Sequence, residues 1–178
     1  MSQATIADRM YSNTKLLKIN GRAQLLAERI ELGAERLAIF IESLTDTEWE
    51  TTIPGEERKA GVLVHHVASS YPAEIDLAYT LASGKPITGV TSDDIDSINA
   101  DHAREYAQVS KIDVLNLLRT NSKVAADRVR KLSDAELDQA EKVYPNADAP
   151  LTTQFFIEDH ALRHSFTHLE SIRKSLGK

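Results

Sequence analysis

Histidine is the residue type whose spacing suggests chemistry in this sequence. The stretch Glu158-Asp159-His160-Ala161-Leu162-Arg163-His164-Ser165-Phe166-Thr167-His168 places three of the six histidines at four-residue intervals. On an α-helix each residue turns by about 100°, so a step of four returns to within about 40° of the starting direction. Two imidazoles one turn apart can then point at a single ion, as in helical zinc sites with paired histidines. A further nitrogen ligand must come from elsewhere, and the adjacent His65 and His66 are the candidates.

The elements that must position these residues read as helices. From Arg22 to Leu44, the positions Leu26, Ile30, Leu37, Ile41 and Leu44, with Phe40 beside them, recur at helical spacing. Glu28, Arg29, Glu31, Glu35 and Arg36 form the solvated face. Thr45-Asp46-Thr47-Glu48 resembles a capping box ahead of a short helical turn. That turn carries the single tryptophan, Trp49, which is expected to plug the end of a bundle. A second helix is expected from Lys59 to Ala82, stopped by Ser83-Gly84-Lys85-Pro86, with a kink or break near Ser70 and Tyr71 because Pro72 removes a backbone donor. An acidic start at Ser92-Asp93-Asp94 opens a shorter helix through Val109. A third long helix runs from Lys111 to Leu132, capped by Ser110 and carried by Ile112, Leu115, Leu118, Val124 and Val129. Ser133-Asp134-Ala135-Glu136 repeats the capping-box pattern, Tyr144 to Pro150 is the least helical part, and a fourth helix from Leu151 to Leu176 bears the histidine run. No segment shows β alternation. The expected fold is therefore all-α, an up-down-up-down four-helix bundle with short extra helices in the connections. Residues 1–20 are expected as a polar N-terminal arm and 21–178 as one helical-bundle domain.

Helical angles then sort the histidines. Leu63, Val67, Leu77, Ala78 and Leu81 define the apolar direction of the second helix; His66 lies within about 60° of it and His65 points almost the opposite way. On the fourth helix, Phe155, Leu162, Phe166, Leu169 and Leu176 mark the core, with Ile157 and Ile172 at its edge. His164 and His168 flank that edge, and His160 lies further toward solvent. The candidate ligands are therefore His66, His164 and His168. His102 has no partner at informative spacing and is expected to be exposed. Three neutral imidazoles leave coordination positions open for water or substrate, as in catalytic sites. They suit zinc, nickel, iron or copper, and affinity order alone does not choose between them. Glu158, Asp159 and Glu170 are candidates to orient a ligand imidazole, though each also reads as an ordinary surface charge.

Composition removes other classes. There is no cysteine, which excludes disulfides, thiolate ligands and a cysteine nucleophile. A net charge of −6, with 27 acidic against 21 basic residues, argues against nucleic acid or an anionic membrane as the partner. The first twenty residues lack the apolar core of a signal peptide, and no run of about 18 apolar residues occurs, so a cytoplasmic location is expected.

Two segments resemble the DinB/YfiT-like superfamily of metal-binding four-helix bundles. Gly61-Val62-Leu63-Val64-His65-His66-Val67-Ala68 is similar to the family's apolar run ending in a ligand histidine. His164-Ser165-Phe166-Thr167-His168-Leu169-Glu170-Ser171-Ile172 matches its His-x-x-x-His pair, with Glu170 and Ser171 in place of the usual Gly-Gln. Residues Ile98 to Glu105 are similar to the mycothiol-dependent maleylpyruvate isomerase branch. The resemblance implies a divalent metal, zinc or nickel first, on His66, His164 and His168. It also implies a small-molecule substrate, a low-molecular-weight thiol as a possible cosubstrate, a homodimer, and activity as a thiol-dependent S-transferase or a hydrolase. The competing expectation is a non-catalytic stress or interaction bundle with structural or vestigial histidines, which predicts a filled interior and no cleft near His164.

Overall fold

The computed structural model describes residues 21–144, 146 and 149–178, and the expected N-terminal arm lies outside them. Helix α1 spans Arg22–Glu42, α2 Asp46–Trp49, α3 Ala60–Ala82, α4 Ser92–Glu105, α5 Lys111–Val129, α6 Asp134–Asp138, α7 Thr153–Ile157 and α8 Arg163–Leu176. A turn of π-helix, Glu158–Leu162, joins α7 to α8, so the fourth long helix is continuous from Thr153. Both expected capping boxes form, Thr45 with Glu48 and Ser133 with Glu136, and a third pairs Thr91 with Asp94 at the start of α4. Around the bundle, α5 packs against both α1 and α3, and α8 packs against both on the other side, so α1 and α3 lie diagonally opposite. That arrangement sets the histidine-bearing faces of α3 and α8 against each other.

Contrary to the reading without strands, two short antiparallel hairpins are present. Strands β1 (Thr52–Ile53) and β2 (Arg58–Lys59) pair Thr52 with Lys59; β3 (Ala140–Val143) and β4 (Ala149–Thr152) pair Ala140 with Thr152. Segments of two to four residues carry too little alternation to register as strands. β4 also takes the first residues assigned to the fourth helix.

Pro72 does not break α3. Its missing N–H would have bonded the carbonyl of Ala68, and the side-chain amide of Asn121 on α5 donates to that oxygen at 2.8 Å instead. Ser69 and Ser70 donate to the carbonyl of His66 at 3.1 and 2.8 Å, adding local bonds just before the proline.

Two glycines permit close approach. A Cβ on Gly33 of α1 would lie 2.6 Å from Ser165 Oγ, and one on Gly61 would lie 2.5 Å from the Trp49 ring. Trp49 is buried against Gly61, with its indole N–H donating to the carbonyl of Val109 at 3.1 Å, which is the plug the sequence suggests. The core stripe of α1 is as expected, with Leu26, Ile30, Leu37, Ile41 and the following Leu44 buried. On α5, Ile112 and Val124 are exposed while Val114, Leu115, Leu118 and Val129 carry the packing; Leu77 of α3 is also exposed.

The π-turn explains the largest error on the fourth helix. It inserts one residue, so the buried pair Phe156 and Ile157 is followed by the buried pair Ala161 and Leu162 at a spacing of five. A uniform wheel fitted to Leu162 and Leu169 therefore puts Phe155 in the core, whereas Phe155 is 48% exposed and Phe156 is 2% exposed.

Candidate metal centre

His66 lies on α3, one turn before Ser70 and Tyr71. His164 and His168 lie one turn apart on α8, just past the π-turn. Because α3 and α8 are neighbours, the three rings converge: His66 and His164 have centroids 4.8 Å apart, His164 and His168 4.9 Å, and His66 and His168 5.7 Å. One nitrogen from each ring lies within 4.8 Å of the other two. Tyr71 reinforces the same seam from the core, its hydroxyl 3.4 Å from Ser165 Oγ; burial pushes that phenol well above its ordinary range.

Burial also keeps His66 and His168 neutral. Desolvation, with the charges of His164, Arg58, His168 and His102 adding to it, holds His66 down at about 2. Desolvation and then His164 hold His168 at about 4, with Glu56 pulling the other way. A neutral imidazole offers a lone pair to a metal, whereas a protonated one does not.

Two carboxylates stand behind the rings. Glu74 Oε1 lies 2.8 Å from His164 Nδ1, and Glu56 Oε1 lies 3.1 Å from His168 Nδ1, within ion-pairing distance but without hydrogen-bond alignment. A carboxylate on Nδ1 fixes the ring and leaves Nε2 to face the centre. None of the three acids singled out from the sequence fills this role: Glu158 pairs with Arg29, Asp159 with Arg163, and Glu170 lies away from the rings. Glu74 and Glu56 were missed because one lies beyond the proline of α3 and the other in the β1–β2 turn, where helical periodicity carries no signal.

The other histidines depart from expectation. His65 is buried rather than turned to solvent, and His102 is not free: His65 Nδ1 lies 2.8 Å from His102 Nε2. Tyr106 stacks on His65 at 3.9 Å between centroids. Helix α4 covers this side of α3, a contact that a wheel drawn for a four-helix core omits. His160 is half-buried and stacked on Phe156 at 4.2 Å, drawn inward by the π-turn.

Five buried side-chain polar atoms have no hydrogen-bond partner among the described residues: Arg58 Nη1, Glu74 Oε2, His102 Nδ1, His160 Nε2 and His168 Nδ1. One is on His168 itself, and the other four belong to groups around the three rings. Orphaned buried polar atoms are costly, so their concentration here marks a place shaped for something other than protein. A cleft of about 230 Å³ lined by Glu74, Asp159, His160, Arg163, His164 and Thr167 opens beside His164, where a filled bundle would have none.

These features define a four-helix bundle with a histidine cluster set between two of its helices. Among solved structures, the chain is similar to YfiT from Bacillus subtilis, described as "a probable metal-dependent hydrolase with an unusual four-helix bundle topology". The TM-score is 0.65 and the identity 16%, over 88% of each chain, a likeness that establishes the fold. No protein-family profile and no curated protein matches the sequence. Among the described residues, no helix is long and apolar enough to cross a membrane.

Proposed function

We propose that this protein is a divalent-metal-dependent hydrolase acting on a small molecule, with His66, His164 and His168 as the metal ligands. The observation that carries the reading is the convergence of three ring nitrogens, two of them on rings approached from behind by carboxylates, in a buried and orphan-rich setting. The donor set fits a borderline ion such as zinc or nickel: three neutral nitrogens, no thiolate and an open side. Such an ion, when bound, supplies Lewis acidity that activates water and polarises a carbonyl or phosphoryl oxygen.

The chain's own groups do the rest. Glu74 accepts the Nδ1 proton of His164 and so holds that ring in one tautomer, while Glu56 does the same for His168 once aligned. Glu74 Oε2, buried beside the cleft and without a partner, is placed to hold the proton released when water attacks. His160 and Arg163 wall the cleft, and Phe156 stacks under His160 and holds that ring in place.

A thiol-dependent transferase would use the same ligands and needs a thiol from outside, because the chain has no cysteine. Elemental measurement on protein purified without a histidine tag tests the metal: about one divalent ion per chain is expected, and it is lost when His66 and His164 are both changed to alanine. Metal-free protein as purified that also fails to take up added zinc or nickel would sink the reading. Hydrolysis of an ester or amide panel without added thiol separates hydrolase from transferase.

A further inference from the structure

The two carboxylates behind the rings are held in different ways. Glu74 sits on α3, whose helical backbone sets its place, whereas Glu56 sits in the turn between β1 and β2. The backbone of that turn is anchored, because the N–H groups of Glu56 and Glu57 both donate to the carbonyl of Ile53 at 3.1 Å and Ile53 is fully buried. None of this fixes the Glu56 side chain, and a carboxylate on a turn gains both rotamer freedom and hydration by swinging out to water.

Arg58 supplies the restraint. Its Nη2 donates to Glu56 Oε2 at 2.8 Å, which leaves the other oxygen, Oε1, 3.1 Å from His168 Nδ1. At that distance the reach of a hydrogen bond is already met and only the angle is lacking. The Arg58 and Glu56 side chains are 16% and 20% exposed, so their charge-assisted bond is less diluted by solvent than a surface pair. Glu57, between them, has φ +53°, a left-handed conformation that costs a non-glycine residue free energy, so the turn keeps a costly shape while the pair forms across it. Glu57 and Asp96 share a cleft with Arg58, yet among the described residues Glu56 is the acid that pairs with it.

The charge of Arg58 also reaches the rings, being among the causes that hold His66, His168 and His102 below their ordinary range. By charge alone it opposes a cation at the centre, and a guanidinium cannot shed its proton to relieve that. Its presence there favours ion binding only through what it does to Glu56.

We propose that Arg58 is a positioning residue of the metal centre: it grips one oxygen of Glu56 so that the other accepts the Nδ1 proton of His168, which leaves the Nε2 lone pair of that ring for the ion. This role rests on the metal-centre reading for its purpose. The tautomer of His168, however, belongs to the protein and is set before any ion arrives. An ion pair that merely closes the hairpin would leave the tautomer untouched.

Nitrogen-15 NMR of the histidine rings tests this in metal-free protein at neutral pH, where the depressed His168 ring is uncharged. The wild-type protein is expected to carry the His168 proton on Nδ1, and the His164 proton likewise, held by Glu74. Arg58→Gln is expected to release His168 into a mixture of tautomers while His164 stays on Nδ1, so that His164 reports an intact fold. Arg58→Lys keeps a charge but not the planar fork, and is expected to release His168 in part. If the glutamine variant does not fold, the lysine variant decides, and His168 as firmly on Nδ1 as in the wild type overturns the role. Zinc competition gives a second reading in which the sign matters. Repulsion alone predicts that Arg58→Gln tightens zinc, whereas positioning predicts a loss of about tenfold, the lower end of the cost of losing a group behind a ligand imidazole. In a Glu56→Ala background the route is gone, and Arg58→Gln is expected to cost zinc affinity nothing further. Tighter zinc in Arg58→Gln, or the same tenfold loss without Glu56, overturns the role. Stoichiometric zinc with a tautomer indifferent to Arg58 refutes the positioning alone, and an Arg58-dependent tautomer in protein that takes no zinc refutes the metal centre alone.

Discussion

His65 and His66 are adjacent on α3, yet they belong to different chemical environments. His65 spends its Nδ1 on His102 and its ring face on Tyr106, and among the described residues no carboxylate hydrogen-bonds it, Glu105 acting on it only through its charge. His66 meets the edges of His164 and His168, and those two rings have Glu74 and Glu56 at their far nitrogens. Both histidines are held below their ordinary range, mainly by burial. Burial therefore does not distinguish a ligand from a packed histidine. The difference lies in where the lone pairs go: consumed within the His65 pair, but converging and unspent in the His66 cluster.

The largest effect expected from this contrast is on metal retention. His66→Ala should lower zinc affinity by more than a hundredfold, while His65→Ala should leave the stoichiometry unchanged, as read by chelator competition. If both variants lose zinc equally, the division between the two clusters fails. A step smaller, Glu74→Gln should weaken zinc binding about ten- to a hundredfold, the usual cost of removing a carboxylate that orients a ligand imidazole. Glu158→Gln, whose carboxylate pairs with Arg29 at the surface, should have no such effect.

The convergence itself was partly legible in the sequence. The four-residue spacing of His164 and His168 and the inward angle of His66 depend only on helical geometry, and both lie on elements whose helicity is strongly patterned. What periodicity could not supply came from departures from the α-helix. The π-turn moved Phe155 out and His160 in, the β1–β2 turn delivered Glu56 and Arg58, and α4 covered His65. Each of these is a local irregularity or a tertiary contact that leaves no repeating trace in residue order.

Acid should affect the two clusters unequally. Against an ordinary value near 6.5, His66 is held at about 2 and His168 at about 4. Below pH 6.5 the unfolded chain therefore binds protons that the folded chain refuses. Stability of the metal-free protein is complete above that pH and falls as pH drops, the His168 share until about 4 and the His66 share toward 2. Between pH 6.5 and 5, His66 alone should account for about 2 kcal/mol. Urea unfolding at both pH values checks this: His66→Gln should flatten the dependence more than His65→Gln, and the reverse order would contradict the deeper depression of His66.

The smallest effect concerns the helix that carries both histidines. Pro72 leaves the Ala68 carbonyl without its helical donor, and Asn121 Nδ2 replaces it at 2.8 Å. Asn121→Ala should cost about 1 kcal/mol, the net worth of one hydrogen bond, because the freed carbonyl lies partly buried between α3 and α5. Pro72→Ala restores a backbone N–H to that carbonyl, so Asn121→Ala should cost markedly less in the Pro72→Ala background. The two changes are then coupled through one oxygen atom, and a double-mutant cycle in urea reads the coupling directly. Strict additivity would mean that Asn121 acts elsewhere, and that α3 stays continuous through Pro72, one and a half turns beyond the paired histidines, for a reason other than this bond.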